Sequence, residues 1–136
     1  LHYTIKKLGL GIEAYKHIIT PLQDSDLENH PDARLLKNLK QTCRQLIIDG
    51  PNCVIGCLPD HSVFMVQDRK KLRPGVVGGR PGMYAFASEI CGLDAAIPNR
   101  DKHKDFQPMH LDTVVVGPDR QEVAICSQTD PLPLPH

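Results

Sequence analysis

From Gly50-Pro51 onward, proline and glycine cut the chain into short β-rich runs, and this punctuation limits the fold more than any other feature. The runs are NCVIGCL (52–58), SVFMVQD (62–68), GVVGG (75–79), MYAFAS (83–88), HLDTVVVGPD (110–119) and QEVAICS (121–127). Each has the length and the β-branched or aromatic content of a strand. Pro59-Asp60-His61, Arg80-Pro81-Gly82 and Gly117-Pro118-Asp119 join them in pairs, which predicts three hairpins and a mostly antiparallel sheet. The intervening SEICGLDAA reads as a short helix with Ser88 as N-cap and Glu89 and Asp94 as polar positions, followed by the charged loop NRDKHKDFQP.

The first third has a different texture. LHYTIKKLG is a helical segment closed by Gly9, and IEAYKHII (12–19) is a second one closed by Pro21. TPLQDSDLENHP is turn-rich, with a brief turn expected around Leu27. PDARLLKNLKQTCRQLII (31–48) carries Leu35, Leu36, Leu39, Cys43, Leu46 and Ile47 at helical spacing. Pro31 suits its first turn, and Asp32 complements the helix dipole. The expected class is therefore α+β, with helices packed on a sheet. The organisation is a helical segment (1–49), a β-rich segment (50–127) and an extended tail (128–136), within one domain of 136 residues.

Sixteen basic residues balance sixteen acidic ones, and tryptophan is absent. Neither a nucleic-acid nor an anionic-membrane partner is implied, and no apolar run approaches the length of a bilayer span. The five cysteines (43, 53, 57, 91 and 126) are odd in number and scattered, which points to a reducing, cytoplasmic setting. Cys53 and Cys57 on one strand sit about 13 Å apart, too far to share a metal ion. The histidines lack zinc-site spacing, His103 and His110 included. ASEIC around Ser88 and Cys91 lacks the glycines of a nucleophile elbow. The basic turn DRKKLRP lacks the lysine-hydroxyl ending of a phosphate loop. It reads as a solvated turn, with Asp68 and Arg73 available as an internal ion pair. No catalytic residue, metal ligand or cofactor site emerges from the residues themselves.

Three ordered blocks nevertheless resemble the second half of the class II glutamine amidotransferase domain, the N-terminal-nucleophile glutaminase of amidophosphoribosyltransferase and glutamate synthase. GPNCVIGCLPDHSVFMVQD is similar to that family's paired strands ending in aspartate. DRKKLRPGVVGGR is similar to its Asp-x-x-x-x-Arg-Pro turn and following strand, here Asp68, Arg73 and Pro74. MYAFASEICGLD is similar to its strand leading into Ala-Ser-Glu and a Leu-Asp step, here Ser88, Glu89, Leu93 and Asp94. One departure lies in the turn, where Arg69, Lys70 and Lys71 replace the family's Pro-x-Gly.

The resemblance implies a four-layer αββα sandwich. In that family an N-terminal cysteine attacks the glutamine carboxamide, with its own α-amino group as base. Ammonia leaves toward an acceptor site, and water resolves the thioester. The groups that do this lie upstream of the matching blocks. Here residue 1 is leucine, no Asn-Gly occurs, and QDSDLE is off the Asp-Thr/Ser-Glu pattern. Asp68, Arg73, Pro74, Ser88 and Glu89 thus count as structural motif residues, and none is expected to be catalytic. The expectation is a C-terminal portion of a glutaminase domain, silent alone, poorly soluble, and dependent on its missing half for glutamine and on a synthase or acceptor subunit as partner. The alternative is a non-catalytic scaffold of the same fold.

Overall fold

β-branched and aromatic content and turn chemistry produce the strands of the computed structural model, which describes residues 1–7, 9–19, 27–28, 30–48, 50, 52–68 and 73–127. The chain separates into two units, residues 1–50 with 127–136, and residues 51–126.

In the first unit, Tyr3–Lys7 forms a turn of π-helix, and Gly9 then adopts the left-handed conformation (φ 67°) expected of a residue past a helix end. Helix α1 (Ile12–Ile19) and helix α2 (Ala33–Thr42) pack through Ala14, Leu27 and Leu36, with Leu10 and Leu39 at the margin. Helix α2 is shorter than the apolar spacing predicts. It ends at Thr42 and passes into a 3-10 turn, Arg44–Leu46. The tighter turn breaks the helical phase, so Leu46 lies exposed while Cys43 and Leu36 stay buried. Asp32 occupies the N-cap without a capping bond from its side chain, so Pro31 precedes the helix and does not stand in its first turn as expected. The segment between Thr20 and Asp26 and the tail beyond Ser127 lie outside the described residues.

The second unit contains strands β1 (Cys53–Cys57), β2 (Val63–Gln67), β3 (Val76–Arg80), β4 (Met83–Ala87), β5 (Thr113–Val116) and β6 (Val123–Cys126). Helix α3 (Ile90–Ala96) follows β4. All strand pairs are antiparallel. Four strands form one sheet in the order β1-β2-β5-β6, and β3-β4 forms a separate hairpin. Met65 of β2, Val77 of β3 and Val114 of β5 are fully buried together, bordered by Cys53, Phe86, Phe106 and Val123. The hairpin therefore lies face to face on the larger sheet, in the manner of a sandwich.

The opposite face of the hairpin receives α3. A Cβ at Gly78 would meet the Leu93 methyl carbon Cδ1 at 2.8 Å and collide with the Asp105 carboxylate. Glycine is what lets the helix and the following loop approach β3 this closely. The result is three layers: helix α3, the β3-β4 hairpin and the four-stranded sheet. The protein is thus α+β with mostly antiparallel strands and a few packed helices.

The hairpin is narrower than the sheet it covers. Ile55 pairs with Met65 and Ile125 pairs with Val114, so both point to the hairpin side of the sheet. They are nevertheless 52% and 51% exposed. On the outer edge of β3 a single antiparallel bridge to Phe106 closes the pairing. Among the described residues no strand pairs with the outer edge of β4. None of the described helices is long and apolar enough to cross a membrane.

Candidate functional site

The residues singled out from the sequence gather at the end of the second unit remote from its hairpin turns. Strand β2 ends at Gln67, and Asp68 follows it, buried. Asp68 Oδ2 accepts the Asn52 backbone N–H at 3.2 Å, and Oδ1 accepts the Gln67 side-chain amide at 3.1 Å. The same Gln67 amide donates to the Arg73 carbonyl at 3.0 Å. Asp68 and Arg73 are therefore tied through Gln67, in place of the direct ion pair expected, and the Arg73 side chain is exposed. Gln67 is completely buried and its Oε1 lacks a partner. The cations Arg69, Lys70 and Lys71 lie outside the described residues. Pro74, also exposed, then leads into β3.

Val76 pairs with Ala87, so Pro74 and the Ser88-Glu89 step flank the same end of the hairpin. Ser88 does not cap α3. Glu89 holds the N-cap in extended backbone (φ −143°, ψ 155°) without a side-chain capping bond, and its carbonyl accepts the Gly92 N–H at 3.1 Å. The Glu89 carboxylate instead accepts from the Cys91 thiol at 3.5 Å. A glutamate reaches past the first turn more readily than it folds back on it, whereas a serine one residue earlier stands too far from the free N–H groups.

Next to this end lies a charged cluster that the sequence reading did not single out. The Arg100 side chain is fully buried and grips Asp105 through both carboxylate oxygens at 2.7–3.0 Å. It also donates to the Ile97 carbonyl at 3.0 Å and to Asp94 at 2.9 Å, while Lys102 reaches Asp94 at 3.1 Å. Hydrogen bonding from Lys102 and then Arg100 holds the Asp94 carboxyl below its ordinary range. The bond to Asp105, joined by that to Asp94, holds the Arg100 guanidinium above its own. Each Arg100 nitrogen has an acceptor, so the cluster fastens α3 and the loop after it to β3 at Gly78. Only the Asp94 position was visible beforehand, through the Leu-Asp step.

The cysteines and histidines are dispersed. Burial, reinforced by the Asp68 charge, pushes the Cys53 thiol up, which removes it as a ready nucleophile. Cys57 and Cys91 are exposed, as are His103 and His110. Among the described residues, no three His, Cys, Asp or Glu side chains come together as a metal-binding group. Among the described residues the geometry thus assembles a well-tied corner of buried polar groups, beside which the Cys91 thiol and the Glu89 carboxylate meet on the exposed surface. No protein-family model matches the chain, and neither the curated proteins nor the solved structures provide a significant match.

Proposed function

We propose that this chain is the supporting half of a class II glutamine amidotransferase fold, whose reactive thiol and amine belong to polypeptide outside these residues. The observation that carries the proposal is the mismatch in width between the two sheets. A two-stranded hairpin is marginal by itself and here covers only the middle of a four-stranded sheet. Further strands on the β4 edge would widen the second layer and extend its cover over the larger sheet. The motif residues Asp68, Arg73 and Pro74 and the Ser88-Glu89 step sit at one end of this stack, where they tie β2 to β3 and β4 to α3. That is the work of a scaffold, consistent with a division in which catalysis comes from the completing strands. The αββα sandwich, glutamine as substrate and an ammonia acceptor are part of the same proposal.

The test is complementation. The chain is mixed with a polypeptide carrying the cysteine-first half of a class II glutaminase domain, and ammonia release from glutamine is measured. The expected result is a stable complex with activity, and labelling of the added cysteine by a diazo-ketone glutamine analogue. Ammonia release by the chain alone, or failure to form any complex, refutes the proposal.

A further inference from the structure

The other end of the second unit holds a feature that the glutaminase reading does not use. Three hairpin turns converge there around a cavity of about 290 Å³. Its apolar walls are Val63, Val116, Met83 and Tyr84, and its two polar side chains are His61 and Arg120. Both polar residues lie in left-handed backbone, at φ 68° and 56°.

The local bonding explains the conformation but not the choice of residue. The His61 N–H donates to the Leu58 carbonyl at 3.0 Å and the Arg120 N–H to the Gly117 carbonyl at 3.0 Å. Each residue therefore follows a tight turn at the position that glycine fills with least strain. Three non-glycine residues of the described chain are left-handed, and Leu111 is the instructive contrast. Its side chain is buried, so packing offsets its backbone strain. His61 and Arg120 are exposed, so burial of their side chains offsets none of the strain, and the charge next to His61 is that of Asp60 in its own turn. Exposed polar side chains held in left-handed backbone, present twice at one cavity, point to a ligand.

We infer that this cavity is a binding site for a small organic carboxylate with an apolar body. The guanidinium of Arg120 supplies a planar pair of donors matched to a carboxylate, and the imidazole of His61 supplies a further polar contact. Val63, Val116, Met83 and Tyr84 take up the aliphatic part, and Met83 is half-exposed with a flexible side chain that can close over it. The nearby carboxylates are held by their own turns. Asp60 accepts the Ser62 N–H at 3.0 Å and Asp119 accepts the Gln121 N–H at 3.3 Å, and neither lines the cavity. The Gly82 N–H donates to the Arg120 carbonyl at 2.7 Å, which locks two of the turns together and holds the site in shape.

The probe is isocaproate, titrated into the full chain while the backbone resonances of Gly82, Met83 and Gly117 are followed by NMR. Isocaproamide, of the same shape without the charge, and inorganic phosphate, charged without the apolar body, serve as comparisons. Isocaproate is expected to shift these resonances with an affinity ~10-fold or more above either comparison. His61→Gly and Arg120→Gly each weaken it ~10-fold while the melting temperature stays equal or rises, because glycine relieves the turn. Equal binding of isocaproamide or phosphate overturns the inference, as does unchanged affinity in both glycine variants. A fall in melting temperature in both variants also overturns it, since the residues then serve the fold.

Discussion

Acid should destabilise the first unit through a single imidazole. His17, on α1, is 1% exposed and its Nδ1 lacks a partner. The His30 ring stands edge-on at 5.1 Å, Lys16 is its buried neighbour, and Lys40 donates to the His17 carbonyl at 3.0 Å. Burial first, then the positive fields of Lys16, His30 and Lys40, lowers the His17 pKa from 6.5 to about 3. In the unfolded chain the ring takes up a proton near pH 6.5, so between those values the unfolded state binds more protons and stability rises with pH. The contribution is intact above the unfolded value and is lost as pH falls toward the folded one. From about pH 7.5 to about pH 5 the loss integrates to ~2 kcal/mol, and to ~5 kcal/mol once pH falls below both values. The assay is urea unfolding followed by helical circular dichroism, to which α1 and α2 of this unit contribute. The wild-type midpoint should fall by about 1 M between the two pH values. His17→Leu removes the titration with a volume-similar apolar side chain and should flatten this component. An equal acid shift in wild type and variant would refute the reasoning.

Other consequences follow from the second unit. Gly78→Ala forces a methyl group against Leu93 and Asp105, and should lower stability by about 1–3 kcal/mol in thermal or urea unfolding. Gln67→Met removes the donor shared by Asp68 and the Arg73 carbonyl, and should destabilise by about 1–3 kcal/mol, measured the same way. Arg100→Lys keeps the charge but cannot hold Asp105 bidentately while reaching Asp94 and Ile97. A lower melting temperature and faster amide exchange in α3 are expected. Alkylation mapped by mass spectrometry should modify the exposed Cys57 and Cys91 before Cys43 and Cys53, because burial shields the first of these and also raises the thiol of the second.

The three hairpins were legible because their information is local. The β-branched and aromatic residues of GVVGG and MYAFAS, with Arg-Pro-Gly between them, specify a turn and two adjacent strands without reference to the rest of the chain. Asp68, Arg73, Pro74, Ser88 and Glu89 lie next to the ends of β2, β3 and β4. Their contacts were not legible. A direct Asp68–Arg73 pair and a Ser88 cap are the natural local guesses, yet Gln67 and Glu89 took those places once the backbone was set.

What needed the tertiary structure depends on chain segments far apart. Pairing of β2 with β5 joins residues some fifty positions distant, and its register decides that Met65 and Val114 share the core. The packing of His17 beside His30 and the convergence of His61 and Arg120 on one cavity likewise arise between separate segments. Charge and turn propensity act over a few residues and can be read along the chain. Desolvation and convergence are properties of the packed surface, and only folding brings their members together.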